Sequence, residues 1–462
     1  MSTKKKIAIS IALAFPFCAV AQSSNELKQE INVLKAQLAR LEASVGKVEN
    51  QLGQPAAGGV DLAEFNRIRI KSEAMEDALE TSGFKNLKIS GYLDPTYIYN
   101  RNARTSSFSF LNNNSPVNGS GESYGYDNTF FGSGMVNLEK ELEGGSKFKF
   151  SLMPSKGTAS GYNFGNLVHE AIATVPLGDP STRLIAGQFA DWTGYEYIPA
   201  PQTKLITHNL LFDFSAGSFY TGAGLEVVRG KWTGKVLLAN LNSARIDTAS
   251  VRKPALTYRA DYAMDEFSGL GFSGIHSGFD DYLQFGRFDL MEVDGYYAHG
   301  DWGFQGQIGI GRQAATPTNG YTSAKSSWFG MSALASYKVT PLLEAVARVD
   351  FINNSKHGGG VFGSTFGGIC KDSTGADANC PDGRNGFGSG MVFDGADWVV
   401  ADPTRGTNRA EVSLGLNYGI APGVSLKGEL RYDRSSGNVF KEADGQYRRD
   451  NHVIAISTVV SF

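Results

Sequence analysis

Beyond its N-terminal segment the chain has no apolar run long enough to cross a bilayer as a helix, which takes about 20 residues. Cysteine is almost missing, with three in 462 residues, and histidine is scarce, with six. Those histidines (His169, His208, His276, His299, His357 and His452) share no zinc-ligand spacing, and no nucleophile elbow or Cys–His arrangement accompanies them. The glycine runs at 358–360 and 386–390 lack a following Gly-Lys-Ser/Thr and open no helix, which excludes a phosphate cradle. A net charge of −3 supplies no basic footprint for nucleic acid. Asp372, Asp377, Asp382, Asp394 and Asp397 lack the spacing of a calcium loop. No catalytic residue, cofactor or metal is expected.

Glycine is abundant instead, 56 residues or about 12% against an average near 7%. Hydrophobic residues make up only 41% and aromatics 11%. A membrane barrel has this balance, because its lumen is polar and its rims are aromatic. The N-terminus fits an exported protein. Lys4, Lys5 and Lys6 precede an apolar core from Ile7 to Val20, and Ala19-Val20-Ala21 offers a cleavage site, so residues 1–21 read as a signal peptide. Removing Cys18 leaves Cys370 and Cys380, a close pair in an oxidising compartment that reads as one disulfide.

In residues 25–52 the apolar positions Leu27, Ile31, Leu34, Leu38, Leu41, Val45, Val48 and Leu52 step by alternate fours and threes. That heptad seam predicts a periplasmic coiled coil over 22–52, its dimer or trimer state left open, roughly 40 Å long. Residues 53–84 read as a Gly/Pro linker and a short helix. From residue 85 to 462 the chain alternates like strands, at about 86–100, 128–142, 147–154, 166–176, 182–190, 217–229, 231–241, 255–264, 269–279, 287–299, 301–312, 327–339, 342–353, 408–420, 423–434 and 450–462. Every second connection is short and the others are long, the asymmetry of an outer-membrane barrel. The expected fold is all-β: a sixteen-stranded antiparallel transmembrane β-barrel preceded by a short α-helical coiled coil.

Alternation also assigns faces. In 408–420, Ala410, Val412, Leu414, Leu416 and Tyr418 oppose Arg409, Glu411, Ser413 and Asn417. Three further strands divide the same way, and lipid outside puts the charged side in the lumen. The expected pore-lining residues are therefore Arg259, Asp261, Glu344, Arg348, Asp350, Arg409, Glu411, Lys427, Glu429, Arg431 and Asp433. Their signs nearly cancel, so they choose neither cations nor anions. A barrel this wide is expected to hold an aqueous channel rather than a packed core.

The last strand ends Ile454, Ile456, Thr458, Val460, Phe462 on one face, and this resembles the C-terminal signal of Gram-negative outer-membrane barrels. Val460 stands where that signal often carries an aromatic residue. The third long connection, 191–216, resembles the inward-folding loop of trimeric sixteen-stranded porins. That likeness makes Asp191, Trp192, Tyr195, Glu196, Tyr197 and Lys204 its constriction residues, against the plainer reading of an external lid. A coiled coil ahead of the barrel is similar to DcaP-like porins. Ile89-Ser90-Gly91-Tyr92-Leu93-Asp94-Pro95 and Gly406-Thr407-Asn408-Arg409 are similar to a proteobacterial group of barrel porins. The resemblance implies a homotrimer in the outer membrane of a Gram-negative bacterium, surrounded by lipid, passing small hydrophilic solutes. It also implies that Phe462 is read by the barrel-assembly machinery. A non-conducting tether or adhesin, built on the coiled coil, and an outer-membrane hydrolase are the competing functions.

Overall fold

The computed structural model describes residues 62–81, 85–111, 132–153, 167–215, 219–241, 254–277, 287–313, 325–356, 366–381 and 388–462. The expected signal peptide and heptad segment lie outside the described residues. The chain forms two units, Met1–Lys85 and Asn86–Phe462. In the first, α1 (Leu62–Thr81) is a charged helix on which Arg69 and Glu73, one turn apart, lie 3.7 Å from each other.

The second unit is a closed antiparallel barrel of sixteen strands. They are β1 (Leu87–Leu93 with Thr96–Asn100), β2 (Thr105–Ser109 with Gly134–Glu141), β3 (Lys147–Leu152), β4 (Val168–Leu177), β5 (Asp179–Ala190), β6 (Phe219–Arg229), β7 (Trp232–Leu241) and β8 (Ala255–Ala263). The second half comprises β9 (Ser268–His276), β10 (Phe288–His299), β11 (Trp302–Gln313), β12 (Ser326–Thr340), β13 (Leu343–Lys356), β14 (Arg409–Ala421), β15 (Val424–Ser435) and β16 (Asp450–Ser461). Each strand pairs with the next, and β16 closes on both pieces of β1, with Thr96 opposite Ser457 and Tyr92 opposite Ser461.

β1 is interrupted where Pro95 removes a backbone donor from the ladder. Asp94 is buried at this break. Its carboxylate accepts from the Gly132 amide at 3.1 Å, from the Thr96 hydroxyl at 3.0 Å and from the Ser457 hydroxyl. β2 likewise comes in two pieces, and the upstream one, Thr105–Ser109, was not anticipated by the sequence pattern. Glycines at the short turns adopt left-handed backbone that other residues resist, with φ of 83° at Gly178, 58° at Gly230 and 75° at Gly423. In the Asp265 turn, the Ser268 hydroxyl and the Phe267 amide hold the Asp265 carboxyl below its usual range.

Leu238, Leu270, Val293, Ile308, Leu414 and Leu430 are exposed on the outer wall, an apolar band that lipid covers at low cost. Toward the short-turn end the outward residues become aromatic, with Trp232 and Tyr262 rings 4.7 Å apart and Trp302 and Tyr337 rings 4.6 Å apart.

In the long connection after β13, Phe366–Lys371 and Asp377–Pro381 form a hairpin crossed by the Cys370–Cys380 disulfide, with 5.2 Å between Cα atoms. A closed loop this short stabilises its hairpin by roughly 2–3 kcal/mol, mainly by restricting the unfolded chain. Reduction should therefore loosen this loop to protease while the barrel's melting temperature stays put. A shared drop in both would show the hairpin to be part of the barrel's folding unit.

Candidate functional site: the lumen and its inserted loop

The connection after β5 turns into the barrel. Its backbone carries donors and acceptors that need partners once removed from water, and the lumen faces of β12–β15 supply them. Glu429 accepts from the amides of Ile206 and Thr207 at 2.7 and 2.8 Å. Arg348 donates to the carbonyls of Thr207 and His208 at 2.7 and 2.9 Å, and Arg431 reaches the His208 carbonyl at 2.9 Å. Asp350 accepts from the Leu210 amide at 3.1 Å, and Lys427 donates to the carbonyls of Ala200 and Thr203 at 2.7 and 2.5 Å. Lys204 pairs with Glu344 at 2.5 Å.

Within the loop, Ala200–Gln202 makes one 3-10 turn and α2 (Leu210–Phe214) one short helix. Asn209 caps α2, its side chain accepting from the Phe212 amide at 2.8 Å. Leu210, Leu211 and Phe214 are fully buried. Leu210 and Phe214 meet an inward apolar layer that includes Leu237, Ile275, Phe288, Leu290, Trp328 and Ile352. Inward glycines open room for the loop's leucines. A Cβ on Gly415 would lie 2.4 Å from Leu205 Cδ2, and one on Gly309 would lie 2.8 Å from Leu211 Cδ2.

The lumen is thus packed on one side, where the sequence led us to expect the charged faces to line an aqueous channel rather than a packed core. Arg348, Asp350, Arg409, Glu411, Lys427, Glu429, Arg431 and Asp433 face inward, yet none is more than 5% exposed. The docked loop covers them, and they grip it or one another rather than line water. Arg409 illustrates this, bonded to Asp433 at 3.0 and 2.6 Å and stacked 5.1 Å from the Phe214 ring. Glu344 stays partly exposed beside Lys204, and Arg259 and Asp261 of the expected lining border a cavity along the other wall.

That cavity, of about 960 Å³, lies between the free side of the loop and the inner faces of β1–β8. Asp191, Trp192, Glu196 and Tyr197 of the loop line it. Glu196 also bridges back to Arg348 at 3.2 Å, and Trp192 donates to the Thr257 hydroxyl at 3.1 Å. Tyr195 is instead buried against the Ser332 hydroxyl, 2.5 Å away, and Lys204 faces the wall. The opposite side of the cavity carries residues the sequence reading had not selected: Lys88, Asn137, Lys149, Glu170, Glu226 and Lys235. They form tight pairs, Lys149 with Glu170 at 2.5 Å and Lys235 with Glu226 at 3.5 Å. Their alternation was visible, since Lys147, Lys149 and Ser151 alternate with Phe148, Phe150 and Leu152. With Asn86, Glu141 and Lys147 in its lining, the cavity extends to the short-turn end of the barrel.

A closed sixteen-stranded barrel with an apolar exterior, an inserted loop and a polar cavity defines the class: an outer-membrane β-barrel of porin-like architecture. The chain belongs to the family described as protein of unknown function DUF3138, whose profile matches residues 62–257 and 264–462. No curated protein matches the chain. Among solved structures it is similar to OmpT, an outer membrane protein of Vibrio cholerae, in its trimer form, at 9% identity and a TM-score of 0.47, covering 81% of this chain and 99% of that one. It is also similar to the outer membrane channel DcaP of Acinetobacter baumannii, at 9% identity and a TM-score of 0.46, covering 81% of this chain and 97% of that one.

Proposed function

We propose that the barrel is a passive channel for small hydrophilic solutes, and that the path runs along β1–β8 past the free side of the inserted loop. The charge-lined cavity carries this reading: unlike the buried charges of β13–β15, Lys149 and Lys235 on its wall keep 39% and 34% of their side chains exposed to it. Asp191, Glu196 and Tyr197 form one side of the passage, and Lys149, Glu170, Glu226 and Lys235 the other. Paired charges of both signs give weak selectivity, and the buried charges of β13–β15 set the loop's position rather than the ion preference.

Planar-bilayer recording tests the path. The wild-type protein should give discrete conductance steps with a reversal potential near zero in a salt gradient. Lys149→Glu with Lys235→Glu should shift that potential toward cation selectivity. A channel whose selectivity ignores both reversals conducts elsewhere, and a barrel that inserts without conducting favours the tether.

The working assembly in this proposal is a trimer, with the apolar exterior buried between subunits and residues 22–52 forming a periplasmic coiled-coil stalk. Native mass spectrometry should return three copies, and removing residues 22–52 should weaken the assembly while conductance survives. A monomeric mass for the full mature chain would remove the stalk's assigned purpose.

A further inference from the structure

On the outside of the barrel, at the rim bearing the long connections, basic side chains gather around one carboxylate. β9 ends there at His276, Arg287 immediately precedes β10, and Arg312 sits at the end of β11. Strand alternation places His276, Asp289 and Arg312 on the same face as Phe272, Met291 and Ile310, which are exposed on the outer wall. Their neighbours Ile275, Leu290 and Gln313 point to the buried interior.

Asp289 is the hub. His276 Nδ1 lies 2.9 Å from its Oδ1, Arg287 donates to Oδ1 at 3.2 Å, and Arg312 Nε donates to Oδ2 at 2.9 Å. The His276 ring is fixed from its other side, with Nε2 3.3 Å from the Tyr258 hydroxyl. Lys325, exposed, stands two residues before Ser327, the cross-strand neighbour of Arg312.

One carboxylate balances one guanidinium, so among these residues positive charge is left over. The arginine side chains stay 57% and 61% exposed while Asp289 is 11% exposed. Exposed ion pairs contribute little to stability, so holding the fold does not account for three donors on one acid. Height on the wall supplies the missing partner. Asp289 and Arg312 lie two residues beyond lipid-facing Met291 and Ile310, and His276 four beyond Phe272, so the cluster stands where the exposed apolar wall ends. A phosphate there can take the forked donors of arginine, a geometry that suits it better than a second carboxylate.

We propose that His276, Arg287, Arg312 and Lys325 form a seat for the phosphate of an outer-leaflet phosphorylated glycolipid, with Asp289 holding the arginines in place. The site is separate from the channel path and does not depend on it.

Full-length protein in detergent, titrated with diphosphoryl lipid A and read by native mass spectrometry, tests the seat. Arg287→Gln with Arg312→Gln should lower lipid A retention at least about tenfold, as expected for losing two charge-assisted contacts. Arg101→Gln with Arg104→Gln, the same charge change elsewhere on the rim, should leave it unaltered. Asp289→Asn keeps an acceptor oxygen for the arginines and removes the one negative charge, so it should raise retention, an opposite sign that poor folding would not mimic. Equal losses in both double variants would overturn the proposal, as would equal retention of a neutral digalactosyl lipid. Complete displacement of lipid A by millimolar inorganic phosphate would make the site one for free phosphate and overturn it too.

Discussion

Arg348→Met should enlarge and destabilise the proposed conducting path more than any single change in the cavity itself. The guanidinium is fully buried, donates to the carbonyls of Thr207 and His208, and lies 3.2 Å from each of Glu196, Asp350 and Glu411. Methionine fills much of the volume but leaves three carboxylates facing each other without their cation. Breaking a buried charge network from one side costs about 3–5 kcal/mol. The barrel's own ladders do not depend on this residue's side chain, so the cost falls on the docked loop. Arg431 still holds the His208 carbonyl at 2.9 Å, so the loop should loosen rather than leave. The expected record is a larger, noisier conductance, with new protease cuts in the loop between β5 and β6. Wild-type conductance and an intact loop would show that the apolar seat of Leu210, Leu211 and Phe214 suffices alone.

That division of labour explains what the sequence made legible. Strand count, parity and the outward apolar face follow from period-two alternation, which is local, so 408–420 and 423–434 could be read correctly to the residue face. Whether an inward charge meets water or another segment is decided by a contact distant in sequence, and Arg348 looks the same in both cases. The signal for docking was nevertheless there. Leu237 and Leu241 alternate with the outward Val236 and Leu238, so β7 is apolar on both faces, which a purely aqueous lumen does not ask for. Gly309, Gly330 and Gly415 fall on lumen faces, where a missing side chain makes a hole that something else fills. The cavity lining at Lys149 and Glu170 was legible too, by the same alternation applied to β3 and β4. The break in β1 could have been read from Pro95, which cannot donate to a ladder.

Deleting Phe462 should cut the amount of barrel in the outer membrane severely while barely altering the stability of barrel that has formed. Gly91 and Phe462 exchange both backbone hydrogen bonds at 3.0 Å, so the last residue completes the seam between β1 and β16. Its ring covers the bare backbone of Gly91, where a Cβ would lie 2.7 Å from the ring's Cζ. Two hydrogen bonds contribute about 0.5–1.5 kcal/mol each. The rest of the seam persists through Tyr92 with Ser461 and through the register from Thr96 with Ser457 to Asn100 with Val453. Folded stability therefore has little to lose. Phe462 is 66% exposed, so the barrel's own packing makes little use of it, which fits the recognition role that the resemblance to barrel assembly signals implies. Refolding into detergent without helpers should give the truncated and full chains nearly the same denaturant midpoint, while fractionated cells should show the truncated chain depleted from the outer membrane. Equal depletion in both assays would make Phe462 a structural clasp, and normal membrane levels would remove its role in assembly.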